Sequence, residues 1–360
     1  MDVRKKDGCY QRIRILATLL VVIGHNCTLE LPLKDGTTSF YSTANNLYIT
    51  GVLEFVKKII YSFHMPLFVF LSGAVFALTY KESANFKSWT IKRIKKLMVP
   101  YFIVAIILYI PTRIVCGYYD TGINIINIIC NDVILSKDIN YLWYLVMLSE
   151  VTLIVILFRK YFMSSKVKTQ LIVLVTCLIL STIRYVLPEM PFQINRTLEF
   201  LLWFYIGILV QKNRDKLCLG KNYSLILLFV WILSFFIHSA IEIKLTQNDL
   251  NYTMLLILKL IKMCIRLIME GSACFCIFCF FEGSDEVKNK WISVLDSSSL
   301  TIYLLHPVII MLSKQVIHMA IPAKYMSNIL YLFLLAMVLL LSILIPCNVS
   351  KILRKKSQKI

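Results

Sequence analysis

Two ionisable side chains on the first apolar segment, Arg14 and His25, have the types and the spacing for chemistry. They are eleven residues apart, which is about three turns of an α-helix, so both lie on one helix face about 16 Å apart along its axis. Ionisable groups in a membrane helix are costly and are candidates for function. We expect this helix to present a cation near the cytoplasmic surface and an imidazole near mid-membrane to one cavity. An imidazole suits a general base near neutral pH, whereas His25 taken alone is equally compatible with a structural role.

The second apolar segment carries polar and helix-modifying residues at His64, Pro66, Ser72 and Gly73. Pro66 lacks a backbone donor and predicts a kink, while Ser72 and Gly73 permit the close approach of another helix. His64 and Ser72 are therefore candidates to line a substrate cavity. The alternative is a kinked helix that only packs.

Arg93 and Lys96 lie about one helical turn apart before the third apolar segment. They could hold the phosphates of a cytosolic cofactor, Arg93 through its forked guanidinium and Lys96 as a point charge. The alternative is that these charges only keep the segment on the cytoplasmic side.

Charged residues also occur within the fourth and eighth apolar segments. Glu150 lies about two turns after Trp143, where a carboxylate is expensive unless it is paired. It could orient His25, neutralise an arginine or form a purely structural ion pair. One stripe of the eighth segment is charged, so either the stripe lines a polar cavity or the segment lies partly outside the membrane. The stripe consists of Lys259, Lys262, Arg266 and Glu270.

The elements that must position these residues are apolar stretches of helical length. Hydrophobic residues make up 58% of the 360 residues, more than a soluble core can bury, and a spanning helix needs about 20 mostly apolar residues. The pattern predicts an all-α, polytopic integral membrane protein of about ten transmembrane helices, with a single domain over residues 1–360 and no separate soluble domain. The predicted stretches are 12–29, 59–79, 97–115, 141–158, 169–187, 197–211, 223–240, 254–281, 298–318 and 328–349.

The distribution of Lys and Arg predicts the orientation of these helices. With a cytoplasmic N-terminus, 26 of the 39 Lys and Arg residues lie on the cytoplasmic side, ten lie on the opposite side and three lie within the eighth stretch. This asymmetry places both termini in the cytoplasm. It also accounts for the net charge of +19, so no nucleic-acid partner is needed.

The eleven cysteines lie almost entirely in or beside apolar stretches, which suits small residues packed between membrane helices. Cys276 and Cys279 form a C-x-x-C pair, but no second pair and no nearby histidine completes a metal site. We therefore expect no metal.

Five features, in order along the chain, resemble those of acyltransferase family 3. They are Arg14-x10-His25, the stretch FHMPLFVFLSG at 63–73, Arg93 followed by Pro100-Tyr101, LWYL at 142–145 and SLTIYLLHP at 299–307. Members of that family are ten-helix membrane enzymes that transfer acyl groups, usually acetyl from cytoplasmic acetyl-CoA, to hydroxyl groups of exported carbohydrates. The resemblance covers essentially the whole chain.

The resemblance implies that Arg14 and His25 are an essential pair and that Arg93 is the arginine found before the third helix. Lys96 stands where a second arginine is often found, which weakens the case for bidentate phosphate recognition but not for charge attraction. The implied protein is an O-acyltransferase of the cell (cytoplasmic) membrane. Its donor is acetyl-CoA or another acyl-CoA, and its acceptor is a carbohydrate that is lipid-linked or exported.

We assign His25 as the general base, or as a nucleophile that passes the acyl group across the membrane. Arg14, Arg93 and Lys96 are assigned to the CoA phosphates, and Glu150 is a possible orienter. The substrate-cavity candidates are His64, Ser72, Trp143, Lys262 and Arg266. His306-Pro307 is explained by a proline-led helix break. The alternative function is a transporter or flippase for a lipid-linked glycan, and the acceptor, the acyl group and the oligomeric state stay open.

Overall fold

The structure is built from α-helices. The computed structural model describes residues 7–31, 47–80, 86–119, 124–184, 187–217, 220–246 and 251–357. Helix makes up 85% of the structure, and these ranges contain no strand. In chain order the α-helices there are α1 Gly8–His25, α2 Tyr48–Tyr61, α3 His64–Thr79, α4 Phe86–Val104, α5 Ile110–Val115, α6 Ile125–Ile128, α7 Trp143–Leu157, α8 Arg159–Phe162, α9 Val167–Ile183, α10 Ile194–Lys212, α11 Lys221–Leu245, α12 Tyr252–Phe281, α13 Lys290–Ala320 and α14 Asn328–Ser357.

Within the described ranges, seven helical stretches are long and apolar enough to cross a membrane. They are Tyr48–Thr79, Lys87–Val115, Asn140–Leu157, Lys221–Leu245, Tyr252–Phe281, Lys290–Ala320 and Asn328–Lys355. Helix α9 is shorter, at 17 residues, and α1 and α10 carry charged or polar residues near their first turns. The predicted all-α, multi-helix architecture is confirmed, whereas ten crossings and cytoplasmic termini stay predictions. Part of the charge count behind that orientation, at Arg4, Lys5, Lys6, Lys34 and 81–85, lies outside the described residues.

The second predicted stretch, 59–79, is divided between α2 and α3. The chain turns at Ser62 and Phe63, and the first bond within α3 runs from the Leu67 N–H to the Phe63 carbonyl oxygen at 3.0 Å. Pro66 lies in the first turn of α3, where its missing N–H costs no helical hydrogen bond. The predicted kink at Pro66 is therefore wrong, because the chain breaks before the proline instead.

Helices α3 and α10 touch through two glycines. A Cβ atom at Gly73 would overlap the carbonyl oxygen of Phe204, and a Cβ atom at Gly207 would overlap the carbonyl oxygen of Phe70. Small residues allow the backbones of two membrane helices to approach this closely. The predicted close approach at Gly73 is confirmed, and the structure identifies α10 as the partner.

Helix α1 is held at both ends and contacts α2, α3, α12, α13 and α14. The Asp7 carboxylate caps its start by accepting from the N–H groups of Cys9 and Tyr10, at 3.0 and 3.3 Å, and also pairs with Arg214. Just after its end, the Asn26 side chain donates to the Leu335 carbonyl oxygen of α14 at 2.7 Å. Capping and these contacts fix the residues that α1 carries toward the interior.

Candidate functional site

Two cavities, each lined by apolar residues and several charged or polar ones, lie toward the two ends of α1. The His25 cavity has a volume of about 700 Å³ and the Arg14 cavity one of about 600 Å³, both within the range of ligand-binding cavities. Tyr303 of α13 lines both cavities, so it stands at their boundary. Polar residues that line the His25 cavity include His25, Tyr61, His64, Glu199, Arg266 and Lys314. Those of the Arg14 cavity include Arg14, Ser72, Arg93, Lys96, Tyr144 and Asp296.

Arg14 and His25 therefore do not face one cavity, and that prediction is wrong. The separation along α1 is as expected, but α13 packs beside α1 and fills the space between them. Tyr303 lies at the boundary, and the His306 ring lies 6.0 Å from the Tyr303 ring and 5.4 Å from the His25 ring. Helical spacing places two side chains on one face of a helix but does not reveal what packs between them.

The Arg14 cavity has an excess of positive charge. Arg14 donates to the Asp296 carboxylate at 2.8 Å, which forms one neutral pair. Arg93 donates to the Thr79 hydroxyl at 3.3 Å, and its guanidinium lies 4.8 Å from the centre of the Phe76 ring. Lys96 adds a further ammonium on α4. Because Arg93 and Lys96 have no carboxylate within ion-pair distance among the described residues, the cavity can attract an anion such as a phosphate.

In its cavity His25 contacts the rings of Tyr61, Tyr141 and His306. Its Nδ1 atom lies 2.9 Å from the Tyr61 hydroxyl, and its ring lies 4.3 Å, edge on, from the Tyr141 ring. The Tyr61 hydroxyl also lies 3.5 Å from the Gly24 carbonyl oxygen, which can only accept. When Tyr61 donates to Gly24, Nδ1 of His25 carries the proton and Nε2 keeps the lone pair that a base requires.

His306 was not among the predicted site residues, yet its ring stacks on that of His25. Its side chain is fully buried, and its Nδ1 atom lies 2.9 Å from the Ile302 carbonyl oxygen. A carbonyl only accepts, so Nδ1 carries the proton and Nε2 of the neutral ring is an acceptor. That Nε2 atom has no hydrogen-bond partner among the described residues. The His306-Pro307 pair was the available signal, but the expected helix break is wrong, because α13 runs continuously through Pro307.

A second group of charges lies on the wall formed by α10 and α12. Glu199 accepts from both Arg184 and Arg266, and Arg266 also lies 3.7 Å from Glu270. Glu270 accepts a hydrogen bond from the Trp203 indole at 2.8 Å. This network holds two carboxylates fixed beside the cavity. Glu199 was not among the predicted residues, because the apolar pattern around it looks like that of any packed helix.

The charged stripe predicted in the eighth segment lies on α12, and only part of it lines the His25 cavity. Arg266 and Glu270 line the His25 cavity, as one of the two alternatives requires. Lys262 instead pairs with Glu242 of α11 at 3.0 Å, and Lys259 is exposed. Lys262, which was a predicted cavity residue, does not line the His25 cavity.

The other predicted residues fall in different places. His64 and Trp143 line the His25 cavity, and the Arg196 guanidinium lies 4.2 Å from the Trp143 ring. Ser72 lines the Arg14 cavity instead, where its hydroxyl lies 3.0 Å from that of Tyr144.

The structure corrects the position expected for Glu150. Its carboxylate accepts a hydrogen bond from the Thr197 hydroxyl at 2.6 Å, and it lines neither of the two cavities. Glu150 thus links α7 to α10 and does not orient His25. A carboxylate seven residues after Trp143 can face any neighbouring helix, and only packing decides which one it meets.

Lys314 was also missed. The charge count assigned it to the outer side as a topological residue, but it lies on α13 with 4% of its surface exposed and lines the His25 cavity. Its position inside the predicted apolar stretch 298–318 was the available signal.

Comparison with known proteins agrees with the resemblance in sequence. The family model of acyltransferase family 3, described as an acyltransferase domain, matches residues 9–346. Comparisons with curated proteins and with solved structures gave no match. The matched region includes both cavities and nearly every helix. The chain therefore belongs to acyltransferase family 3, and it is a multi-pass membrane acyltransferase that transfers groups other than aminoacyl groups.

Proposed function

We propose that this enzyme transfers an acyl group, acetyl in the first instance, from cytoplasmic acyl-CoA to a hydroxyl group of an exported or lipid-linked carbohydrate. In this proposal it resides in the cytoplasmic membrane with ten crossings and both termini in the cytoplasm. The observation that carries the proposal is the pair of cavities that meet at Tyr303, one cationic and one containing His25.

The Arg14 cavity is the proposed donor site. It lies at the end of α1 that the Lys and Arg distribution places in the cytoplasm, where CoA is available. Arg93 has guanidinium donors to offer, and Lys96 supplies a mobile charge. Arg14 is already paired with Asp296, so its proposed task is to orient the donor through its remaining N–H groups.

The His25 cavity is the proposed acceptor site. Trp143, Tyr61 and Tyr141 give it flat apolar faces, and the carboxylates of Glu199 and Glu270 accept hydrogen bonds from hydroxyl groups. A sugar presents both kinds of surface. A volume of about 700 Å³ accommodates one end of a glycan.

His25 is the proposed general base. It takes the proton of the acceptor hydroxyl while that oxygen attacks the thioester carbonyl carbon, the C–S bond breaks, and CoA leaves as the thiolate. The proton then passes to the thiolate, so free CoA and an ester are the products. Since the donor and acceptor lie in different cavities, the thioester must reach the boundary near Tyr303 and His306 for this step.

The test uses the full-length protein in lipid nanodiscs with acetyl-CoA labelled in the acetyl group and an extract of cell-surface glycan. We expect release of CoA and labelled glycan from the wild type, and neither from His25→Ala. A protein that moves lipid-linked glycan across the bilayer without binding acetyl-CoA would contradict the proposal and favour the transporter.

A further inference from the structure

Lys314 is the most deeply buried ammonium group in the His25 cavity. Its side chain is 4% exposed, and its Nζ atom donates one hydrogen bond, to the main-chain carbonyl oxygen of Glu30 at 3.3 Å. An ammonium group has three donors. Among the described residues, Lys314 has no carboxylate oxygen within 4.0 Å. A buried charge in this state is costly unless something else in the cavity neutralises it.

The surroundings of Lys314 contain more positive than negative charge. Lys57 of α2 lines the same cavity and repels Lys314, while the Glu30 carboxylate attracts it. Lys58 also lines the cavity, but it interacts with the Glu242 carboxylate. Lys57, Lys314 and Glu30 thus bring two positive charges and one negative charge to the cavity wall.

The remaining carboxylates that line the cavity have other partners. Glu199 binds Arg184 and Arg266, Glu270 binds Arg266 and the Trp203 indole, and Glu242 binds Lys262. These charges nearly balance one another. Among the described residues, none of these three carboxylates pairs with Lys314 or Lys57, so they do not neutralise those two lysines.

Lys314 and Lys57 share a cavity with His25. All three residues line one continuous space. An anionic group bound by Lys314 would therefore hold the molecule that carries it beside the base.

We propose that Lys314, with Lys57, forms a subsite for an anionic group on the carbohydrate acceptor, either a carboxylate of an acidic sugar or a phosphate. This inference rests on the proposed function, because it assigns the His25 cavity to the acceptor. The anion supplies the counter-charge that Lys314 lacks, and a hydroxyl group elsewhere on the same glycan reaches His25. Neutral glycans of equal size bind more weakly because they leave Lys314 without a counter-charge.

The experiment compares three small probes, glucose, glucuronic acid and glucose 1-phosphate, by ligand-observed NMR titration of the full chain in nanodiscs of phosphatidylcholine. The variants are Lys314→Met, which removes the charge and keeps the length of the side chain, and Lys314→Arg, which keeps the charge. Lys324→Met is the matched control, since Lys324 is an exposed lysine close in sequence. The thermal unfolding midpoint of each variant, measured separately, reports whether the protein is folded, independently of acetyl-CoA binding.

We expect the wild type to bind glucuronic acid or glucose 1-phosphate about ten- to a hundredfold more tightly than glucose, the range for a hydrogen bond to a charged group. The tighter of the two anions identifies the carboxylate or the phosphate as the ligand. Lys314→Met should lose the preference, and Lys314→Arg and Lys324→Met should keep most of it.

Equal binding of glucose and both anions to the wild type would overturn the inference, as would an equal loss in Lys314→Met and Lys324→Met. If Lys314→Met fails to fold, loss of the preference in a Lys57→Met variant with the wild-type unfolding midpoint supports the subsite, and full retention of the preference overturns it. Failure of the proposed function is recognised separately, because a wild type that binds no acetyl-CoA can still prefer the anions.

Discussion

Replacing Arg93 by alanine should weaken the binding of acetyl-CoA about ten- to a hundredfold. Arg93 lines the Arg14 cavity, where Thr79 and the Phe76 ring hold its guanidinium, and no carboxylate among the described residues neutralises it. One hydrogen bond from this group to a phosphate should contribute about 1.5–3 kcal/mol. The contact with the buried Phe76 ring contributes mainly to folding.

The assay is calorimetric titration with acetyl-CoA and, in parallel, with S-acetylpantetheine, which keeps the thioester but lacks the nucleotide and its phosphates. Arg93→Ala should weaken only the first ligand, because the guanidinium is proposed to bind phosphate. Equal losses for both ligands would refute the phosphate contact and show that the substitution disturbed the cavity as a whole.

Lys95→Ala is the matched control for bulk charge. Lys95 lies on the same helix, is exposed and does not line the cavity, so its removal should leave the affinity unchanged within about twofold. Equal losses in Arg93→Ala and Lys95→Ala would refute a specific site. Arg113 is a poor control despite its predicted position on the outer side, because it is 1% exposed and pairs with Asp138 at 3.1 Å. Its removal would leave a carboxylate unpaired and destabilise the fold.

Four further outcomes are expected. His25→Ala should lower acyl transfer about a hundredfold or more while acetyl-CoA binding persists; transfer at the wild-type rate in a labelled-acetyl assay would restore the structural role. His306→Gln should lower kcat at least about tenfold without changing the Kd for acetyl-CoA, since its ring stacks on that of His25; an unchanged kcat would exclude a positioning role. Gly73→Leu should lower the Tm in detergent, because the new side chain pushes α3 away from α10, whereas Gly51→Leu should not, because a side chain at Gly51 meets no neighbour. Equal Tm values for the two variants would disprove the close contact. Reporter fusions should place the C-terminus in the cytoplasm, and labelling of residues 81–96 from outside would reverse the predicted topology.

The cavities bring together residues that are far apart in the sequence, and the sequence does not predict that they meet. His306 and Lys314 come from α13, yet they line or adjoin the space around His25 of α1. Glu199 and Arg266, which pair across the wall of that space, are 67 positions apart. Sequence patterns report periodicity within one helix, whereas the partners of a side chain are chosen by packing between helices.

The errors in the prediction have the same physical origin. The spacing of Arg14 and His25 fixed their common helix face, but Tyr303 and His306 of α13 separate the two ends into different cavities. Orienting His25 is one of three roles that the sequence allows for Glu150, but the packing of α7 against α10 gives it Thr197 as a partner instead.

The sequence by itself determined what depends on local composition and short-range spacing. Apolar length predicted the helices, the small residue at Gly73 predicted a close helix contact, and the motifs around Arg14, His25 and Arg93 predicted the family. Only the tertiary structure decided that the charges form two cavities that meet at Tyr303, and that Lys314 is buried without a nearby carboxylate among the described residues. The reason is that hydropathy and helical period act over neighbouring residues, while burial and pairing of a charge depend on helices far apart in the chain.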